Sequence, residues 1–314
     1  AGRCSAISRF PAVPASVCTI FYACRHKVTR ILTWNIQCGL GVDGRVDLAR
    51  VVDVIKGMGD ADIICLQEVS RFDCEMDGGK GADQVSVLSA LFPDHYPIFG
   101  PAINRQGNTQ AQRRQFGNLI LSRLPVLQVF KHLLPQPAPE EPCKHMPRQA
   151  LEVVVEINDG PLRITTTHLE YHSEAQRLAQ VSRLRDVQAE VIKNQQHLKH
   201  APSSGPYAAV PRPARSILCG DFNSGPDDFV YNMLTAPLKA TVNNYLDAWR
   251  VIKGQELHAP TCGIYDRIQW PQGGHCRDFF FLSKDLSTMA KDIQVQQKTN
   301  ASDHQPIFLC LKDY

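Results

Sequence analysis

Eight polar residues stand at or beside short apolar runs: Asn35, Glu68, His168, Asp221, Asn223, Asp278, Asp303 and His304. Carboxylates and carboxamides are hard oxygen donors suited to Mg²⁺ or Mn²⁺. Histidine is the side chain whose charge changes closest to neutral pH. Glu68 is the best candidate for a direct metal ligand, with Asn35 and Asp303 sharing the site. Mg²⁺ is commonly held by one or two carboxylates and several waters, with a phosphate completing its shell. Taken singly, each residue has a plainer explanation. Glu68 reads as a capping or ion-paired acid, Asp221 with Asn223 as an Asx-rich turn, and His168 as a hydrogen-bonded strand-end imidazole. Asp303 reads equally as a ligand or as a local cap. The recurrence at separate strand ends is what points to one shared site.

The elements that must position these groups follow from apolar spacing. Ile217–Cys219 is long enough for a buried strand and ends at Gly220, where a turn meets no Cβ clash. Asp221 and Asn223 lie beyond it, two residues apart, so an extended backbone points both to one side. Residues 29–36 form a strand carrying Asn35, and 62–68 a second ending in Glu68. Between them Leu48, Val51, Val52, Ile55 and Met58 mark an amphipathic helix stopped by Gly57 and Gly59. Strand, helix, strand is a parallel crossover that brings Asn35 and Glu68 to one sheet edge.

Further strands are predicted over 117–125, 151–157, 162–167, 278–282 and 306–311, with Asn158-Asp159-Gly160 as a hairpin turn. Short and long helices are predicted over 84–91 and 174–195, the latter capped by Ser173. Residues 73–83 read as a Gly-rich loop, 132–147 as an irregular loop with five prolines, and 199–215 as a linker-like loop. Strands and helices intermix throughout, the pattern of one domain with two sheets covered by helices.

Composition narrows the class. The hydrophobic fraction of 43% and charged fraction of 21% are those of a globular protein, and no apolar run is long enough to span a bilayer. The eleven cysteines include no Cys-x-x-Cys pair and several lie within apolar runs, as buried free thiols do in a reducing compartment. Cytoplasm is the expected location. Residues 1–27 carry Arg3, Arg9, Arg25, Lys27 and no acid, and read as a poorly ordered basic extension with a transit-peptide-like composition. The net charge of +3 thus leaves the remaining residues, 28–314, at −1, which gives no support to broad electrostatic capture of nucleic acid. A local cluster, Arg105, Arg113 and Arg114, suits a nucleic-acid backbone, a multiply phosphorylated small molecule or a lipid head group, or is a solvated loop. No obligate protein partner is evident.

The stretches Trp34-Asn35, Leu66-Gln67-Glu68, Thr167-His168-Leu169, Gly220-Asp221-Phe222-Asn223 and Ser302-Asp303-His304, in this order, resemble the endonuclease/exonuclease/phosphatase superfamily of metal-dependent phosphoesterases, and most closely its poorly characterised bacterial members. The resemblance covers about residues 28–313. It implies an α/β fold of four layers, a sandwich of two mixed β-sheets packed face to face and flanked by helices. It also implies a division of labour. Glu68 with Asn35, and Asp303, would hold Mg²⁺, or Mn²⁺ in its place, and Asp221 would take a proton from the attacking water. Asn223 would donate to a phosphate oxygen, His304 would bind or protonate the phosphoryl group, and Asp278 would orient His304. His168 would be a second phosphate-binding or acid group. Asn118 and Arg148 stand where relatives place substrate contacts.

Two departures mark this chain. Cys276-Arg277-Asp278 replaces a basic-Ile-Asp triplet, and the segment 261–274 carries Trp270, read as a packing residue or as a wall of the substrate cleft. The implied activity is in-line hydrolysis of a phosphodiester, leaning slightly to a nuclease acting on DNA. A phosphatase or a phospholipase C-type hydrolase of a small phosphoester is the alternative, and a catalytically silent binding protein on the same fold a remote one.

Overall fold

The computed structural model describes residues 28–78, 80–110, 112–195, 205–238 and 244–312. The expected basic extension, 1–27, lies outside these residues. The first sheet contains β1 (Val28–Asn35), β2 (Ile63–Arg71), β3 (Tyr96–Gln106), β4 (Arg113–Ser122), β11 (Ala290–Val295) and β12 (Ile307–Lys312), in the order β11-β12-β1-β2-β4-β3. The second contains β5 (Val126–Leu133), β6 (Gln149–Ile157), β7 (Gly160–His168), β8 (Ser216–Asp221), β9 (Tyr245–Asp247) and β10 (Asp278–Ser283), in the order β5-β6-β7-β8-β10-β9. Each sheet has one parallel pair, β1 with β2 and β7 with β8. The other pairings are antiparallel, so both sheets are mixed as the sequence predicts.

The alternation of side chains along the strands builds three apolar layers. Ile31, Cys65, Val153, Ile217 and Phe280 face one another between the sheets. On the outer face of the first sheet, Leu32, Trp34 and Leu66 pack on α1 (Leu48–Met58) and α2 (Gln84–Leu91). On the outer face of the second, Leu218, Phe279 and Phe281 pack on α3 (Glu174–Gln195) and α4 (Phe229–Thr235). The short α5 (Ala248–Lys253) closes one end. The result is a helix–sheet–sheet–helix sandwich. Among the described residues, no helix is long and apolar enough to cross a membrane.

Helix starts obey local chemistry: the Asp47 and Asp83 carboxylates accept the Arg50 and Ser86 amides at the N-termini of α1 and α2. The structure also corrects two local readings. β2 does not end at Glu68 but continues to Arg71 through a bulge between Leu66 and Val69, and Glu68 sits there at φ 56°. Gly220 does not follow a strand but belongs to β8, at φ 131°, and a Cβ there would lie 2.0 Å from the Thr167 carbonyl oxygen of β7. Close approach of two strands, rather than a turn, is what requires glycine at this position.

Candidate active site

Because β1, β2, β7 and β8 run the same way within their pairs, their carboxyl ends meet at one rim of the sandwich. Register sets His168 beside Asp221 and Asn35 beside Gln67. β10 runs antiparallel to β8, so its first residue, Asp278, stands opposite Asp221. The segment before β12 is stitched to the end of β1. Trp34 Nε1 donates to the His304 carbonyl at 2.9 Å, and Ser302 Oγ donates to the Asn35 carbonyl at 2.8 Å. Thus Ser302-Asp303-His304 is placed by two bonds to the neighbouring strand.

These residues open into a cleft of about 520 Å³ lined by Glu68, His168, Asp221, Asn223, Asp303 and His304, with Asn35 and Arg148 beside them. Asn35 Nδ2 donates to Glu68 Oε1 and to Asp221 Oδ2, both at 3.0 Å, and its Oδ1 accepts the Gln37 amide. One carboxamide therefore ties an acid of the first sheet to an acid of the second. His304 Nδ1 lies 2.8 Å from Asp278 Oδ2, and its Nε2 3.6 Å from Asp221 Oδ2. Asp278 is itself fixed by Thr261 Oγ1, 2.6 Å from Oδ2.

Burial alone would drive the imidazolium of His304 down, but the carboxylates of Asp278, Asp221 and Asp303 outweigh it and raise its pKa well above the ordinary value. Burial raises Asp278 to about 6. One proton is shared along that bond, and three facing carboxylates place it on His304. Burial also pushes Asp221 up, yet His304, His168, the Asn35 donor and the Asn223 amide hold it below the usual carboxylate range. His168 differs from its counterpart. Burial, then Arg148, push it down to about 3, so it is a neutral ring at pH 7. A neutral imidazole still has one N–H and one lone pair for hydrogen bonding. Its Nε2 is 3.4 Å from Asp221 Oδ2, and its buried Nδ1 has no hydrogen-bond partner.

The donor set fits a divalent cation at Glu68. Burial, then the Asp303 carboxylate, push Glu68 up to about 7, by more than the Asn35 donor, Arg148 and His304 pull it down, which marks two crowded acids. A second grouping, Asp221, Asp278 and His304, has ligand atoms within 4.8 Å of one another. It suits a metal less well, since a protonated His304 already neutralises it and offers no lone pair. Asn35 turns its amide hydrogens to the acids, leaving only the second lone pair of Oδ1 for a cation.

Arg148 lines the cleft, with Nε 3.3 Å from Glu170 Oε2 and Nη1 buried without a partner. Asn118 does not. It is buried in β4, and its Nδ2 donates to the Gln149 carbonyl at 3.2 Å, so it supports the backbone next to Arg148. Two of the three residues of the basic cluster are engaged: Arg114 pairs with Asp73 at 2.8 Å and Glu75 at 2.9 Å, and Arg113 donates to Asn104. Trp270 is the packing residue expected, buried against Tyr171 and His275, and it also lines the cleft. The sequence reading missed Lys144, His145, Tyr171 and His172 at the mouth. The only signal for Lys144 and His145 was their place in a proline-rich loop. Glu170, which accepts the Met146 and His172 amides, is what draws that loop inward.

A two-sheet sandwich with acids, amides and imidazoles gathered at the rim of its parallel pairs defines a class of phosphoesterases. The sequence profile of one family in that class matches residues 32–304, and the chain belongs to it: the endonuclease/exonuclease/phosphatase family. No curated protein matches the chain in sequence. Its fold is similar to that of an endonuclease/exonuclease/phosphatase from Beutenbergia cavernae, at 22% identity over 91% of this chain and 72% of that one, with TM-score 0.64. It is also similar to a mannosyl-6-phosphatase from Bacteroides thetaiotaomicron, at 16% identity over 90% and 98% of the two chains, TM-score 0.62. A third similar structure is TDP2 from D. rerio complexed with single strand DNA product, at 20% identity over 90% and 98%, TM-score 0.58.

Proposed function

We propose that this phosphoesterase hydrolyses a phosphodiester by in-line attack of water and depends on Mg²⁺, with Mn²⁺ able to replace it. The observation that carries the reading is the His304 ring set between Asp278 and Asp221 and facing the same cleft as Glu68. Glu68 and Asp303, with Asn35 beside them, would hold the metal, which supplies Lewis-acid neutralisation of the phosphoryl oxygens. Asp221, ionised at neutral pH, takes the proton of the attacking water, a role worth roughly 10²–10⁴-fold. His304 presents Nε2–H to a phosphoryl oxygen while Asp278 fixes the ring through Nδ1. Asn223, His168 and Arg148 donate to the remaining oxygens, Arg148 through its unpartnered Nη1.

As to substrate, the nuclease lean loses part of its support because Arg114 is paired with Asp73 and Glu75 and Arg113 is bonded to Asn104 of β3. A compact cleft rimmed by Lys144, His145 and His172 favours a small phosphodiester or a phospholipid head group over a long tracked backbone. Nuclease action on DNA is the second reading, favoured by the DNA product in one neighbour of the same fold. The described cysteines are all free thiols, which supports a reducing compartment such as the cytoplasm.

Turnover of bis-p-nitrophenyl phosphate with Mg²⁺ tests the reaction. We expect chelator to abolish it and Glu68→Gln, Asp221→Asn and His304→Ala each to lower kcat by at least about 10²-fold. No turnover by the wild-type chain would leave a silent binding protein. A panel of DNA, sphingomyelin and inositol phosphates at two salt concentrations then sorts the substrates. A steep loss with salt marks a nucleic acid, and a flat response the small phosphoester.

A further inference from the structure

Behind the cleft, on the far side of Asp278 from His304, lies a second and much smaller cavity lined by Asp278, Thr261, Cys276, Asp247, Trp249 and His258. Two of its polar groups are incomplete. Asp278 uses Oδ2 for both His304 and Thr261, while its Oδ1 is buried without a hydrogen-bond partner. His258 uses Nε2 for Asp247 Oδ2 at 2.6 Å, while its Nδ1 is likewise buried without one. Each orphan destabilises the folded state unless something satisfies it. The cavity, about 10 Å³, accommodates one water, which needs two or more polar partners to stay.

We propose that His258 is a positioning residue for catalysis, joined to Asp278 Oδ1 through a single buried water. The ring is held for this task. Asp247 Oδ2 also accepts the Tyr231 hydroxyl at 2.8 Å, and its Oδ1 accepts the Trp249 amide at 2.9 Å. Trp249 stacks on the imidazole with centroids 5.8 Å apart, and Phe279 meets it edge-on at 5.6 Å. A chain of Tyr231, Asp247, His258, water and Asp278 thus ends on the bond that orients His304. Conserving the rotation of Asp278 matters because a carboxylate anchored at one oxygen only is free to swing about its χ2 torsion. The inference rests on the reading of His304 as the group that faces the phosphoryl oxygen.

Two near-isosteric substitutions test it. In His258→Asn the carboxamide takes the place of Nδ1, keeping the water and giving up Asp247. In His258→Gln it takes the place of Nε2, keeping Asp247 and giving up the water. With both variants shown to melt like the wild type, H258Q should lower kcat on bis-p-nitrophenyl phosphate about 10-fold, with KM unchanged, and H258N should retain most of kcat. The downfield proton resonance of His304 Nδ1–H should move in H258Q and hold in H258N. Equal effects of the two variants, an unmoved resonance in H258Q, or a crystal structure with the cavity dry would overturn the proposal. Should H258Q not fold, the wild-type crystal structure decides: an ordered water within hydrogen-bond reach of both Asp278 Oδ1 and His258 Nδ1 upholds the proposal, and a dry cavity overturns it equally. If the wild-type chain shows no turnover, the functional reading fails alone, and the resonance and the cavity water still decide the role of His258.

Discussion

Glu68 shows how far one side chain's surroundings set its behaviour. Burial and Asp303 lift its carboxyl from 4.5 to about 7 in the metal-free protein. Between those values the folded chain holds a proton that the unfolded chain has released, so this group's contribution to stability falls as pH rises through the window. At 1.36 kcal/mol per pKa unit the effect is about 3 kcal/mol. Glu68→Gln removes it. Urea denaturation without metal should therefore show E68Q gaining up to that amount on the wild type between pH 5 and pH 8, and a constant difference would contradict the crowding of the two acids. Added Mg²⁺ at pH 8 should stabilise the wild type and leave E68Q unmoved, with a shift of about 2.7 kcal/mol at 100 times the dissociation constant. At this scale the sequence was informative where a polar residue closes or shortly precedes an apolar run, as Asp221 and His304 do. It was silent where a residue reaches the cleft by loop geometry, as Lys144 and His145 do, because a proline-rich segment has no periodicity to read. Its picture of His168 missed the neutral state, which comes from burial and from Arg148, a residue 20 positions away in sequence.

The strand pair β7/β8 carries the most exacting contact in the fold. Gly220→Ala puts a Cβ against the Thr167 carbonyl oxygen at a φ that L-residues resist. The strands must part, and His168 and Asp221, paired in register, part with them. We expect G220A to lose about 1–3 kcal/mol in urea denaturation and to lose turnover beyond what the folded fraction explains. Wild-type activity in a folded G220A would mean that the rim tolerates a shift of β7 on β8. Buried runs rich in Ile, Leu and Val made β1, β2, β6, β8 and β12 readable in advance, and the apolar stripe did the same for α3. β3 was not readable, because Pro97, Gly100 and Pro101 interrupt it. β5 was lost as a sheet-edge strand with half its side chains in solvent, and α4 and α5, seven and six residues long, are too short for a helical period to register.

For the molecule as a whole, the position of the cleft follows from the two parallel pairs lying in different sheets and opening at the same rim. Glu68 and Asn35 belong to one sheet, Asp221 and His168 to the other, and the Asn35 carboxamide is the direct hydrogen bond between their acids. Sites of this kind draw on the less stable end of a protein's local openings. Turnover should accordingly fade at a lower urea concentration than the far-UV signal of the strands, and coincident midpoints would show the rim to be as firm as the core. The carboxamide of Asn35 makes the chemistry a gauge of alignment: when the two halves slide by even part of a bond length, the acids cease to share a common target, and the enzyme falls silent while still looking folded.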